Sequence, residues 1–214
     1  MDAVLSNLDV YGRGFLTTLA LTLTSFSLAL VLGVMVAASR VSPVRPLQVA
    51  GAAYVEVFRN LPLTVLMFLL YFGGPDVGLR FAEFPTAVVA LSLYTGAFVG
   101  EAVRAGVSSV PRGQAEAARA LGLNFPRTLL AVVLPQAVRT MVAPLGSLFV
   151  ALTKNSAIAY TISVHELTFR TNELITVTAA TIPVLIGSAL AYLALTIPSG
   201  AATRALEGRL AIHR

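Results

Sequence analysis

Apolar residues run along this chain in long stretches, broken by short clusters of charge, proline and glycine. A bilayer core about 30 Å thick is crossed by about 20 helical residues, and five stretches are long enough. They predict spans at about 15–38, 52–73, 85–107, 141–164 and 174–197. Gly73-Gly74-Pro75-Asp76 ends the second. Pro62 is placed to kink that span, and Pro183 falls inside the fifth. Thr17, Thr18, Thr22 and Thr24 in the first can bond back to the helix and need no further role. Gly33, Gly96, Gly100, Gly146 and Gly187 fit close helix packing. The tail from Pro198 to Arg214 reads as a short amphipathic helix.

The longest polar interruption, 108–139, has a pattern of its own. Arg112 to Leu121 is rich in Ala, Gln, Glu, Arg and Leu, all good helix formers. Gly122 is placed to end that helix as a C′ glycine. Asn124 or Phe125 then starts a second helix, with Pro126 tolerated in its first turn. The expectation is helix, glycine turn, helix, carried between the third and fourth spans.

Composition places the chain. Of 214 residues, 57% are hydrophobic and 12% charged, where a soluble domain carries about 25% charged residues. The fold class is all-α integral membrane, expected as one domain over 1–214. The net charge of +5 lies in loops and does not mark a nucleic-acid partner; membrane lipid is the partner it implies. Cysteine is absent, which excludes disulfides, thiol catalysis and thiolate metal sites. Eleven arginines (40, 45, 59, 104, 112, 119, 127, 139, 204, 209 and 214) fall on one side of the spans and three (13, 80 and 170) on the other. The positive-inside rule therefore puts the N-terminus outside, and the C-terminus and 108–139 in the cytoplasm. Gly14 to Ser39 is an uncharged run of 26 residues preceded by Asp2 and Asp9, which suits a span rather than a cleaved signal peptide.

A few charged groups fall at membrane depth. Lys154, the one lysine, lies fourteen residues beyond Thr140, about 21 Å along a helix. Two readings follow. Lys154, with Asn155 and Ser156, lines a polar path and offsets a substrate carboxylate; or it forms an internal ion pair or follows a helix break near Pro144 and Gly146. Glu101 and Arg104 share a face of the third span at i, i+3, as an anchor for the loop that follows or as a cytoplasmic gate. Glu56 and Arg59 at the entry of the second span invite the structural reading first. His165 and His213 stand too far apart to suggest a metal site, and His165 with Glu166 is expected on an outer loop, as a solvated face or a binding-protein contact. No G-x-x-x-x-G-K-[ST] is present, so ATP has no P-loop here.

Glu116-Ala117-Ala118, then Gly122, then Leu134-Pro135 resemble the EAA loop of bacterial ABC-importer permeases. That pattern is EAA, three residues, G, nine residues, I, one residue, LP; Val132 holds the isoleucine position here. Arg59-Asn60-Leu61-Pro62-Leu63-Thr64, Tyr94 to Arg104, Gly113-Gln114 and Lys154-Asn155-Ser156 are similar to segments of the polar amino-acid branch, the permeases for histidine, glutamine and glutamate. Ala157 departs from that branch, which usually has serine or a similar residue there. The resemblance covers about residues 10–205 and is closest to actinobacterial glutamate-type permeases.

It implies the transmembrane domain of a type I ABC importer in a bacterial cell membrane. Gln114, Glu116, Ala117, Ala118, Leu121, Gly122 and Pro135 would form the coupling helix and its turn. The small alanines would let that helix seat in a cleft of a cytoplasmic ABC ATPase dimer. A second permease subunit, the same or related, would complete the path, and an extracytoplasmic solute-binding protein would deliver the amino acid. Lys154, Asn155, Ser156, Glu101, Arg104 and Arg59 would line the path. ATP and Mg would belong to the ATPase, leaving this chain without a cofactor and without catalysis. Glutamate is the substrate implied, with glutamine or a basic amino acid as alternatives. A stand-alone secondary transporter would need intramembrane acids for ion coupling, and Glu101 is the sole candidate. A membrane-embedded enzyme would need a cluster of His, Asp or Ser at depth, which the sequence lacks.

Overall fold

The computed structural model describes residues 2–210. Among them the chain is helical throughout: α1 (Asp2–Leu5), α2 (Leu8–Val41), α3 (Arg45–Asn60), α4 (Leu63–Phe68), α5 (Glu83–Ser108), α6 (Arg112–Ala120), α7 (Phe125–Thr128), α8 (Leu134–Asn155), α9 (Leu167–Thr178) and α10 (Thr181–Leu210). Four helices are long and apolar enough to cross a membrane, and the bent pair of α3 and the segment Leu63–Val77 makes a fifth when the two are counted as one broken span. His213 and Arg214, part of the tail and of the charge count, lie outside the described residues.

The packing centres on α2 against α5, with α8 beside α5 and α10 beside α8. Small residues make these approaches possible. A Cβ on Gly33 would meet the Cγ1 of Val99 at 2.4 Å and the backbone nitrogen of Gly100 at 2.9 Å. This is membrane helix packing, in which close backbone contact replaces the hydrophobic drive. Leu21, Leu66, Met67, Leu91, Ala159 and Ile162 form the main buried cluster, joining α2, α4, α5 and the turn after α8. Leu16, Leu23, Val31 and Val34 on α2 stay exposed, as lipid-facing side chains do.

Span three, expected at 85–107, is α5, Glu83–Ser108; α2, Leu8–Val41, contains span one but begins seven residues ahead of the expected 15–38, and the others depart further. The second is not one kinked helix over 52–73. It breaks at Leu61-Pro62, where both residues are extended, and α4 leaves at 104° to α3. Leu61 is pushed out of the helical region by the proline that follows. Arg59 and Glu56 are therefore in the last turns of a half-span, not at the entry of a whole one. α4 continues through a π turn, Leu69–Gly73, and a 3-10 turn, Gly74–Val77.

The second helix of the loop is not separate from the fourth span. α7, a π segment Leu129–Val133, α8 and a 3-10 segment Ser156–Ile162 form one helical run, Phe125–Ile162. Leu134 N–H reaches back to Leu129 O, so the ladder is already widened where Pro135 withholds a donor. The fifth span is α10, not 174–197. Residues 174–178 close the separate helix α9, and Ala179 turns the chain with φ 53°. Pro183 thus falls in the first turn of α10, where proline is tolerated. Pro198 lies within α10, which does not restart as a tail helix.

Candidate functional site

The loop between α5 and α8 is built by two caps. Leu123 N–H bonds Ala118 O at 3.2 Å and Gly122 N–H bonds Arg119 O at 3.0 Å. With φ 86° at Gly122 this is a Schellman termination, which glycine adopts without a Cβ clash. Asn124 then accepts from Arg127 N at 3.1 Å as the N-cap of α7. α6 packs back on α7 and the π segment, and Ala118, 5% exposed, is its buried residue. Gln114, Ala117 and Leu121, at i, i+3 and i+7, lie on an outward face. Leu121 is 86% exposed and Phe125 73%. The two alanines therefore do different work: Ala118 seats α6 on its own chain, and Ala117 is left open. Glu116 is exposed and makes no ion pair among the described residues.

A groove runs between α5 and α8. Its wider part, about 440 Å³, is lined by Arg59, Phe98, Glu101, Gly106, Thr140 and Leu148. Phe98 and Leu148 continue into a narrower part of about 170 Å³ with Tyr94, Thr95 and Asn155. Glu101 is held from two sides, by Arg40 of α2 and by Arg104 one turn along α5. Arg59 has its guanidinium carbon 5.3 Å from the Phe98 ring centroid, a cation–π distance.

The predicted cluster of Lys154, Asn155 and Ser156 does not meet at one place. Successive helical residues point about 100° apart. Asn155 faces the α5 groove, whereas Lys154 lines a cleft of about 570 Å³ between α8 and α10 with Arg204 and Glu207. Ser156 is fully buried and donates to Thr153 O at 2.7 Å.

Glu166 is the residue that sequence reasoning misplaced. It is fully buried rather than solvated. It caps α9, accepting from Thr168 N at 2.9 Å and Phe169 N at 2.8 Å, and Tyr192 OH of α10 donates to it at 2.9 Å. Beside it, Leu167 N donates to Thr18 Oγ1 of α2 at 3.1 Å, so Thr18 holds α9 instead of bonding back to its own helix. Glutamate is not among the common N-cap residues, which is why the Glu166-Leu167-Thr168 segment carries little signal. Burial pushes the carboxyl above its ordinary range, against the hydrogen bonds that lower it. The folded chain then holds this proton more tightly than the unfolded chain, so the stability it contributes is full below the ordinary carboxylate range. That stability falls as pH rises through the raised value. Thermal unfolding in detergent across pH 4–8 should show this decline (~4 to ~8 spans the carboxylate and near-neutral ranges). Glu166→Gln, which cannot titrate, should flatten that part of the profile; a parallel decline in the variant would assign the dependence to another group.

The chain belongs to the family of binding-protein-dependent transport system inner membrane components, which matches residues 29–212. It is a multi-pass membrane permease subunit with the fold of a type I ABC importer transmembrane domain. A probable glutamine ABC transporter permease of Bacillus subtilis is 41% identical over 98% of this chain and 97% of its own length. A glutamate transport system permease of Corynebacterium glutamicum is 37% identical over 94% and 93%. The crystal structure of an amino acid ABC transporter with histidines superposes with a TM-score of 0.90 at 30% identity, covering 96% of both chains. An inward-facing methionine ABC transporter shares the fold at a TM-score of 0.79 and 21% identity.

Proposed function

We propose that this chain is half of the translocation path of an ATP-driven amino-acid importer, carrying glutamate or the closely related glutamine. The observation that carries the reading is the match to amino-acid ABC permeases over nearly the whole chain. In this reading a second permease subunit completes the path and a solute-binding protein delivers the amino acid from outside. A cytoplasmic ATPase dimer binds ATP and Mg and docks against Gln114, Ala117 and Leu121 of α6, with Glu116 beside them. The turn at Gly122 and the widened helix before Pro135 pass its motion into α8. The termini follow the charge count, which still favours the same side without Arg59 at the end of α3, with the N-terminus outside and the C-terminus in the cytoplasm. The face between α5 and α8 is the path, which puts Arg59, Glu101 and Asn155 on it, with Arg104 behind Glu101. Lys154 opens on the other flank of α8, and Ser156 contributes packing.

The test is gentle extraction of the native complex through a tag on this chain, followed by mass spectrometry and by uptake of radiolabelled amino acids in proteoliposomes. An ATPase and a binding protein should copurify, and glutamate or glutamine should accumulate only with internal ATP. Uptake without ATP, driven by an ion gradient alone, would replace this reading with secondary transport.

A further inference from the structure

We propose that Arg59 anchors a substrate carboxylate in the groove between α5 and α8, and that this chain thereby admits anionic and neutral amino acids and rejects cationic ones. The proposal rests on the translocation reading above and names which charge the path reads.

The argument is one of unmatched charge. Arg59 ends α3 where span two breaks and α4 turns away by 104°, which leaves its side chain open to the groove. The position is deep. Tyr54, five residues earlier on α3, donates to Leu93 O at 2.7 Å, and Leu93 lies ten residues into α5, about 15 Å from its start. Phe98, under the guanidinium, is a further turn and a half in. A cation at such depth is expected to face a partner or a polar path.

Among the described residues no acid forms an ion pair with Arg59. Glu101, in the same groove, is taken by Arg40 and Arg104. Glu56, one turn back on α3, accepts from the Asn60 amide at 3.1 Å. The groove thus presents one guanidinium stacked on a ring and no free carboxylate. Arg59 is exposed to the groove, and stacking on an aromatic face satisfies none of its N–H donors, whereas a carboxylate matches its planar fork with two hydrogen bonds. Beyond Phe98 the groove offers only neutral groups, on Tyr94, Thr95 and Asn155. A ligand with its carboxylate on Arg59 and an uncharged or anionic remainder is therefore accommodated. A lysine or arginine side chain would add a second cation with nothing to meet it.

The test is direct binding of radiolabelled L-glutamate, L-glutamine and L-arginine to the detergent-purified complex of this chain with its ATPase, without the binding protein. The natural chain should bind glutamate or glutamine and show at least about tenfold weaker binding of arginine, the step that separates a matched from an unmatched charge. Arg59→Gln should weaken the bound amino acid by a similar factor, and Arg59→Lys should restore part of the loss. Unchanged binding in Arg59→Gln, binding of none of the three, or arginine bound as well as glutamate would overturn the proposal. Should Arg59→Gln fail to assemble, the selectivity of the natural chain decides alone. Copurification of the ATPase with each variant keeps this result separate from the importer reading, which fails only if that ATPase is absent.

Discussion

Glutamine in place of Glu101 is expected to be among the most destabilising single changes in this chain. Glu101 is the one acid between two arginines, Arg40 from α2 and Arg104 from α5. Removing it leaves two guanidiniums facing each other near the membrane. Removing one partner of a buried ion pair costs about 3–5 kcal/mol. The three side chains here keep 21–35% of their surface, so solvent screening places the expected loss near the lower end of that range. Arg40→Gln should cost less, because Glu101 keeps Arg104. Arg40→Met with Glu101→Met should cost less than Glu101→Gln alone, since it strands one guanidinium, that of Arg104, instead of two facing each other. Thermal unfolding and yield of extracted protein measure all three. If the double change is as damaging as the single one, packing rather than unpaired charge holds this junction.

That junction was half visible in the sequence. The i, i+3 spacing of Glu101 and Arg104 places them on one face of a helix, and the pair is there. Arg40 is 61 residues away from Glu101, and no local spacing reports such a meeting. The same contrast runs through the fold. Spans one and three are long, uniform apolar runs; span three emerged close to its expected bounds, while the helix of span one extends back across the charged residues Asp9 and Arg13 to Leu8, which hydropathy leaves out. Span two needed a decision between a kink and a break. Proline at 62 signals either, and the outcome depends on what α4 packs against after the turn, chiefly α5 and the 3-10 segment after α8. At the far end, apolar content continues across Leu174–Thr178 into α10. Hydropathy cannot see the left-handed turn at Ala179 that separates them.

Side-chain direction was the harder part of the site. Lys154, Asn155 and Ser156 are adjacent in sequence and read naturally as one cluster. On a helix adjacency disperses them to an outer cleft, an inner groove and the core. Ala117 and Ala118 divide in the same way. The loop that carries them was legible because its signals are local: good helix formers, a C′ glycine and an N-cap asparagine. Glu166 was not, because its burial depends on its neighbours in space and its partner Tyr192 lies on another helix.

The division between Ala117 and Ala118 leads to the second large effect. Ala117→Trp is expected to leave this chain folded and to abolish ATP-driven uptake. Ala117 lies on the outward face of α6 with Gln114 and Leu121, and a substitution at such an exposed helix position changes stability by no more than about 0.5 kcal/mol. A helix seated in a cleft tolerates little added volume at its contact face, so the indole should hold the ATPase away. Pull-down through a tag on this chain should lose the ATPase, while the melting profile of the permease itself stays in place. Ala118→Trp should behave differently. Ala118 is the buried residue of α6, which packs on α7 and the π segment, so the larger ring must displace α6 from its own chain. Overpacking of this kind costs about 1–3 kcal/mol, and the melting profile should shift along with the lost ATPase. If Ala117→Trp retains the ATPase at natural stoichiometry, the docking face is not the one carrying Gln114, Ala117 and Leu121. The exposed apolar pair Leu121 and Phe125 would then point to the turn, rather than the helix, as the contact.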